Sequence, residues 1–353
     1  MYTRFGDNDI VTRQAAELVT STWSNNLNNL TVAFTSSTQT NFSTATSSGQ
    51  FFIEVYNANA SLSTSEVQYS VAFGNSVGSG SLDFTNDTGS FGLGASRVIY
   101  NQYRQLHFND DTQNFTFGTH TPKSIYVINI NRSRYKQRLT LGSLKLNLSG
   151  STLGKTQPSI QLTDDSVTNP AGLGNSNLGP YYNIVSGSDG VLSGSVTNQV
   201  TVGSDSSTYG FFYPEAGLII LSGEVYKPGL APLTNKNTAD KNHQKFLRHI
   251  SCVGNNLSQN RTGSFIVDTT EEINSQFYFA RAGNKVFNYT NNESFVDANK
   301  NIRFETMKLN PKVFITTVGL YNDAFELMAV AKLSQPVAKD FTKEALIRIK
   351  LDY

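Results

Sequence analysis

The four histidines of this chain are the side chains whose ordinary pKa lies nearest neutrality, so they are its first candidates for acid–base or metal chemistry. They are His107, His120, His243 and His249, and the single cysteine is Cys252. His243 and His249 are six residues apart in a segment with helical spacing, which separates them by about 240° around the helix axis. With one cysteine and no His-x-x-x-His spacing, the sequence predicts no zinc site.

Two short motifs resemble catalytic loops. Gly74-Asn-Ser76-Val-Gly78 matches the Gly-x-Ser-x-Gly nucleophile pattern, but such a serine needs a helix directly after it, and residues 79–94 are rich in Gly, Ser, Asp and Asn. Gly150–Thr156 resembles a phosphate-binding loop that is one residue too short, and Pro158 stands where the required helix begins. The sequence therefore predicts neither a serine nucleophile nor a phosphate loop.

Paired carboxylates occur at Asp110-Asp111, Asp164-Asp165 and Glu271-Glu272. Adjacent residues of a strand point to opposite faces, so no pair by itself forms a glycosidase-type dyad, although acids distant in sequence remain able to converge. The loop 83–94 lacks the spacing of a calcium loop. We therefore expect no catalytic residue, no cofactor and no bound metal, and we expect that the protein is not an enzyme.

The near-neutral net charge of the chain limits which classes of binding partner are expected. The chain has 353 residues, 28 Lys+Arg and 27 Asp+Glu, and a net charge of +1 argues against nucleic acid as the main partner. The basic stretch 132–138 is the exception, and it suits a phosphate, an acidic partner or a solvated face. No window approaches about 18 apolar residues, so no membrane partner is expected. A lone cysteine and the lack of a secretory signal fit synthesis in a reducing cytoplasm.

Abundant Ser, Thr, Asn and Gly favour turns and exposed sheet faces over helix interiors. The sequence predicts a mainly β fold, with antiparallel sandwich-like domains and a few short helices. A helix over 96–106 should lie across a sheet, a second is indicated within 236–253, and the spacing of Val11, Leu18 and Trp23 favours another. Alternating or β-branched runs predict strands at 31–34, 50–56, 66–73, 124–130, 144–148, 209–213 and 218–221.

The last forty residues carry the strongest pattern. Runs 312–320, 327–333 and 345–351 predict a three-stranded unit. Residues 277–282 and 285–289 predict a hairpin around Gly283-Asn284. Because cross-strand pairs contribute only about 0.2–1 kcal/mol each, the three-stranded unit needs another layer. That hairpin or a neighbouring subunit would supply it.

Shifts in composition divide the chain into three predicted domains. Residues 1–150 form an N-terminal β-rich domain with one packing helix. Residues 151–208 form a Gly/Ser/Asn-rich insert or small β-domain. Residues 209–353 form a C-terminal β domain with hairpins and the terminal three-stranded unit.

Aromatic residues are numerous, with 23 Phe and 16 Tyr but one Trp. They suit either a sandwich core with both faces covered or a face completed by another protein chain, since aromatics are enriched at interface cores. Under the second interpretation the predicted partner interface lies in the C-terminal unit. Its residues are Val313, Ile315, Leu320, Tyr321, Phe325, Leu333, Ile347, Ile349 and Leu351.

Several blocks of the chain resemble virion structural proteins of T4-like contractile-tailed bacteriophages, particularly those that infect cyanobacteria. The strongest are Val313–Asp323 and Leu327–Ser334, followed by 341–345, and the weaker ones are 74–80, 124–132, 209–214 and 287–292. None of these blocks is a catalytic motif. The resemblance implies a tail or baseplate protein, located in the virion, whose partners are other tail proteins or copies of itself.

Three functional hypotheses follow. The leading one is a structural subunit of a contractile tail, in the baseplate or at a fibre attachment point. The second is a carbohydrate- or receptor-binding module, with Tyr181, Tyr182, Tyr209 and Tyr213 as sugar-stacking platforms or, in the plainer interpretation, as core residues. The third is a polysaccharide-degrading enzyme, against which stands the lack of the long regular repeats of a β-helix.

Overall fold

A computed structural model describes residues 3–27, 30, 52–78, 95–148, 160–192, 208–223, 242–250, 263–290 and 292–353. The predicted fold class is confirmed: the described chain is mainly β, with antiparallel strand pairs and short helices. It divides into two compact units. The central unit is Leu18–Glu271, and the terminal unit combines Met1–Glu17 with Glu272–Tyr353. The predicted strand at 31–34 lies outside the described residues.

The strands and helices of the described residues are numbered here in chain order. The strands are β1 (Ile10–Ser21), β2 (Phe52–Tyr56), β3 (Val67–Asn75), β4 (Ser124–Ile130), β5 (Arg138–Leu139), β6 (Lys145–Leu148), β7 (Ile160–Asp164), β8 (Gly174–Ser176), β9 (Gly179–Ser188), β10 (Val191–Leu192), β11 (Gly210–Tyr213), β12 (Leu218–Ser222), β13 (Ser264–Ile266), β14 (Asp268–Ala282), β15 (Val313–Tyr321), β16 (Leu327–Lys339) and β17 (Ala345–Asp352). The helices are α1 (Ala95–Phe108), α2 (Asn242–Ile250) and α3 (Thr306–Leu309).

The central unit is built on one large antiparallel sheet. Its strand order is β13-β6-β7-β9-β11-β12-β4-β3-β2, with β8 and β10 also paired to β9. The strands predicted at 209–213 and 218–221 pair as a hairpin around Pro214–Gly217, with Phe211 opposite Ile220. The predicted domain divisions after residues 150 and 208 both fall between neighbouring strands of this sheet, because β6 pairs with β7 and β9 pairs with β11.

Both faces of the central sheet are buried. Along β4, Tyr126 and Ile128 enter one apolar cluster, whereas Ile125 and Val127 enter another on the opposite face. Helix α2 covers the first cluster with Phe246, Leu247 and Ile250. Helix α1, which was predicted to lie across a sheet, covers the second with Ile99 and Tyr100. A central strand covered on both sides accounts for the continuous apolar run of β4.

The sheet curls around the first cluster. Strand β13 is separated from β3 by six strands in the sheet order, yet the ring of Phe265 lies 5.3 Å from that of Tyr69. Trp23 lies against both rings, and its Nε1 donates a 2.9 Å hydrogen bond to the carbonyl oxygen of Phe265. These side chains close the open end of the curl, so the first cluster has little contact with solvent.

The terminal unit has two β layers. Strand β14 lies between β1 and β17, and its pairing with β17 runs from Ser275 opposite Asp352 to Ala282 opposite Ala345. Strands β15 and β16 form a separate hairpin. Leu320 of the hairpin and Ile347 and Ile349 of β17 are buried together between the layers. This arrangement is sandwich-like on a small scale.

Three local predictions are corrected by the structure. The terminal three-stranded unit does not form, because β17 pairs with β14 while β15 and β16 pair only with each other within the described residues. The hairpin predicted at 277–289 does not form either, since residues 283–290 contain turns and no strand. The helical spacing near the N-terminus belongs to strand β1, where Val and Thr suit a sheet and pairing with β14 satisfies the backbone.

We predict that Gly217→Ala lowers the free energy of unfolding by at least about 2 kcal/mol. Gly217 has φ +64°, and a Cβ there would lie 2.5 Å from Cε1 of Tyr135. Urea unfolding measures the effect. The matched control is Gly283→Ala, whose Cβ would meet its nearest neighbour at 3.8 Å, and equal losses in the two variants would contradict the prediction.

Candidate functional site

Of the two motifs that resemble catalytic loops, Gly74–Gly78 lies within the described residues. Ser76 follows β3 in a turn, where its backbone N–H donates a 2.8 Å hydrogen bond to the carbonyl oxygen of Lys123. The phosphate-loop motif Gly150–Thr156 lies outside the described residues. No group of three His, Cys, Asp or Glu side chains comes together in the part of the chain that the structure describes.

His107 lies in a buried aromatic cluster at the end of α1. Its Nδ1 is 2.9 Å from the hydroxyl of Tyr213, and the rings of Phe108 and Tyr181 lie 4.2 and 4.8 Å from its own. Burial lowers the pKa of His107 to about 4. It also raises the pKa of Tyr213. The neutral imidazole therefore helps to attach α1 to β11, which is a structural role.

The paired acids hold loops in place. Asp164 accepts hydrogen bonds from the backbone N–H groups of Gly142 and Ser166 at 3.0 and 3.2 Å. Asp165 accepts bonds from the backbone and the side-chain amide of Asn183 at 2.9 and 3.0 Å, and burial raises the pKa of Asp165. Backbone and side-chain bonds from Thr112 lower the pKa of Asp110. These carboxylates stabilise turns.

The basic stretch 132–138 is largely used inside the chain. Arg134 forms an ion pair with Glu66 at 2.7 Å, and Lys136 forms one with Glu271. The guanidinium of Arg132 lies 4.6 Å from the centre of the Tyr135 ring and donates to the Tyr135 carbonyl oxygen. These contacts favour an internal role over a phosphate or partner surface.

The tyrosines considered as sugar platforms lie mostly in the core. Tyr182, Tyr209 and Tyr213 are buried, and Tyr181 is half-buried against Phe211 and Tyr213. A stacking platform must present a ring face to solvent. The positions of these tyrosines therefore favour a role in core packing over a role as sugar-stacking platforms.

The predicted interface residues are divided between two faces of the C-terminal strands. Leu320, Ile347 and Ile349 are buried inside the terminal unit. Val313 is half-buried, and Tyr321 and Phe325 are exposed near the hairpin tip. The remaining three residues, which pack against the buried cluster, are Ile315, Leu333 and Leu351.

The other face of the β15–β16 hairpin is apolar and exposed, and we call it the outer face. Its centre is the cross-strand pair Gly319 and Val330, and Val330 is 58% exposed. Its other apolar side chains, all classed as exposed, are Phe314, Tyr321, Phe325, Leu327 and Met328. The prediction missed four of these residues because it assigned the apolar side of the strands to one face only. The signal was present, since 313–315 and 327–331 are apolar at consecutive positions, a pattern typical of strands buried on both sides.

Strand β17 provides an internal comparison for the outer face. Its solvent-facing positions are Leu346, Arg348, Lys350 and Asp352, so three of the four are charged. The guanidinium of Arg348 lies 5.3 Å from the centre of the Phe277 ring, and Lys350 forms an ion pair with Asp352. In the terminal unit, the exposed face of β17 is thus mostly charged, whereas the outer face of the β15–β16 hairpin exposes mostly apolar side chains.

Gly319 shapes the outer face. A Cβ at this position would lie 3.0 Å from Cε2 of Tyr321 and 3.3 Å from Cδ1 of Leu327. Because glycine leaves this space open, the two side chains lie over it. The Tyr321 and Leu327 side chains therefore cover the centre of the face, beside Val330.

Lys339 is the buried cation of the terminal unit. It is 0% exposed, and its Nζ donates to the carbonyl oxygens of Gly283 and Asn284 at 3.2 and 3.4 Å and to Oδ1 of Asn288. Three neutral oxygens thus surround the ammonium group. This contact attaches the loop after β14 to the end of β16.

Comparison with known proteins found no match to this chain among protein-family models, curated proteins or solved structures. In the described residues, none of the helices has both the length and the apolar character needed to span a membrane. The outer face of the β15–β16 hairpin is the candidate functional site, and its chemistry is that of a contact surface.

We predict that the free energy of unfolding falls as the pH is lowered from about 6.5 to about 4, in part through His107. In this range the unfolded histidine, with its ordinary pKa of 6.5, binds a proton that the folded one excludes down to about pH 4. Denaturant unfolding of His107→Gln across this range should show a flatter pH dependence than the parent chain. A parental slope in His107→Gln would contradict the assignment.

We predict that Lys339→Met costs about 1–3 kcal/mol of stability, because it removes the charged hydrogen bonds that Nζ donates to three part-buried oxygens. The control is Lys343→Met, at an exposed turn position, which should change stability by less than about 0.5 kcal/mol. Thermal and urea unfolding of both variants provide the comparison. A Lys339→Met variant with unchanged stability would show that the ammonium group is not needed to hold the loop.

Proposed function

We propose that this chain is a structural subunit of a contractile phage tail, in the baseplate or at a fibre attachment point, that works through protein–protein contact. The observation that carries the proposal is the outer face of the β15–β16 hairpin. It exposes Phe314, Leu327, Met328 and Val330 on a hydrogen-bonded pair of strands with two register shifts. Exposed apolar surfaces of this kind mark sites of association.

The position of the face in the sequence supports the same proposal. The hairpin consists of the two blocks, 313–323 and 327–334, whose resemblance to tail proteins is strongest. One face of these blocks forms the core of the terminal unit, and the other is exposed. An internal core explains only the first face. A partner in an assembly explains the second.

The size of the face suits a contact between subunits. Its exposed apolar side chains present on the order of 600 Å², compared with about 800 Å² per partner in a standard protein interface. The lysines and acidic residues around it would form the polar rim that such interfaces have. The face is therefore large enough to form the centre of a specific interface, with the rim completing it.

We predict that this chain is present in purified tails of its phage and that its outer face is covered there by another protein surface. A reconstruction of the tail, together with mass spectrometry of the purified particles, provides the measurement. Val330→Lys should reduce incorporation of the chain into particles by about tenfold or more, because a charge in an interface core is not solvated.

Leu346→Lys is the matched control, since Leu346 is 60% exposed on the polar face of β17 and Val330 is 58% exposed on the outer face. It should be incorporated normally. Absence of the chain from tails, or a solvated outer face in the particle, would refute the proposed function.

A further inference from the structure

The outer face of the β15–β16 hairpin has an uneven distribution of charge along its length. The tip carries the exposed acids Asp323 and Glu326. The opposite half carries the exposed lysines Lys312 and Lys332. Lys312 lies over the ring of Phe314 at 5.8 Å, and Lys332 is paired with Thr317 on the exposed side. From the tip, the acids are thus followed by Tyr321, Leu327 and Val330, then by Lys332, and at the far end by Phe314 with Lys312.

We infer that the occupant of this face is a second copy of the same chain, packed antiparallel about a two-fold axis. This inference rests on the proposed function, because it takes the outer face to be an assembly surface. It adds the identity of the partner. A surface that is acidic at one end and basic at the other is complementary to itself when one copy is reversed. The same patch then serves both subunits, as in isologous dimers.

The strand geometry places the charges suitably for this arrangement. Lys332 lies on β16, and Glu326 directly precedes this strand, where its carboxylate accepts a 2.8 Å hydrogen bond from the side-chain amide of Asn322. The two residues are three positions on either side of Ala329, on the order of 10 Å each way, with a register shift on the side of the tip. A two-fold axis that crosses the hairpin at this point reverses the direction of β16. It brings Lys332 of each copy over Glu326 of the other, and both contacts form at once.

The apolar side chains meet in the same arrangement. The axis passes between Met328 and Val330, which are 69% and 58% exposed, so these residues of one copy contact those of the other. The two hairpins pack face to face at the spacing of about 10 Å that stacked sheets adopt. The half of the hairpin next to the tip, from Tyr321 and Leu327 to Val330, is then buried on both faces, whereas Phe314, which is paired with Ala338, lies outside this contact.

The opposite orientation and a different partner are less well matched. Two copies stacked in parallel would place the acidic tips together and the lysines together, and like charges at an interface cost binding energy. A partner of another kind would need its own apolar strip with the reverse order of charges. The second copy has that strip already.

The first test is sedimentation of the full purified chain over a wide range of concentration. The expected result is a monomer–dimer equilibrium whose dissociation constant rises by about tenfold or more in Val330→Lys and changes by less than about twofold in Leu346→Lys. Circular dichroism and unfolding confirm that both variants are folded. A parent chain that stays monomeric, or a dimer that Val330→Lys does not weaken, overturns the inference.

The second test exchanges the charges and specifies the orientation. Glu326→Lys and Lys332→Glu should each weaken self-association by about tenfold, because each places two like-charged contacts across the axis. An equimolar mixture of the two variants should restore association, since every contact in the mixed dimer pairs opposite charges. Raised salt should reduce the differences. Failure of the mixture to restore association overturns the antiparallel arrangement.

The outcomes of these tests and of the tail experiment are distinguishable. A monomer in solution whose outer face is covered by a different protein in the tail refutes the second copy and retains the proposed function. A dimer through the outer face in a chain that is absent from tails retains the dimer and refutes the proposed function.

Discussion

Each β-strand has two faces, and each face must be covered by apolar groups or be polar enough for water. This constraint explains the central unit. Its large sheet is covered on one side by α1 and on the other by α2 and by its own curl, which Trp23 and Phe265 close. Both faces are therefore apolar, and continuous runs such as β4 and β12 are the result. The terminal unit meets the same constraint on one face of its hairpin and leaves the other apolar face exposed.

Burial also explains why the polar groups that suggested chemistry are structural. A buried polar group is costly unless it is hydrogen-bonded, and several of those in the central unit are held in this way. Gln68 bonds to Ser24 and to the carbonyl oxygen of Glu66, while Asp164 accepts bonds from backbone N–H groups. In the terminal unit, Lys339 donates to loop oxygens. These side chains join segments that are distant in sequence, which a chain without disulfides requires.

The proposed assembly role follows from the contrast between two strands of one unit. The solvent-facing side of β17 is charged, whereas that of the β15–β16 hairpin is apolar, although both belong to the same two-layered structure. A subunit that folds before it assembles must keep such a surface small enough to remain soluble. In the proposed dimer, the lysines and acids of the outer face would give the contact its direction.

The sequence by itself determined the local features that depend on residue type and period. The β class, the strands at 209–213 and 218–221, helix α1, and the apolar character of the hairpin strands could all be predicted from alternation, helical spacing and turn residues. Only the tertiary structure decided which strands pair and which faces are free. Leu320 and Val330 are equally apolar in the sequence, and one is buried while the other is exposed. Pairing of β17 with β14 rather than with β16 depends on a partner about seventy residues away, and no local pattern encodes such a contact.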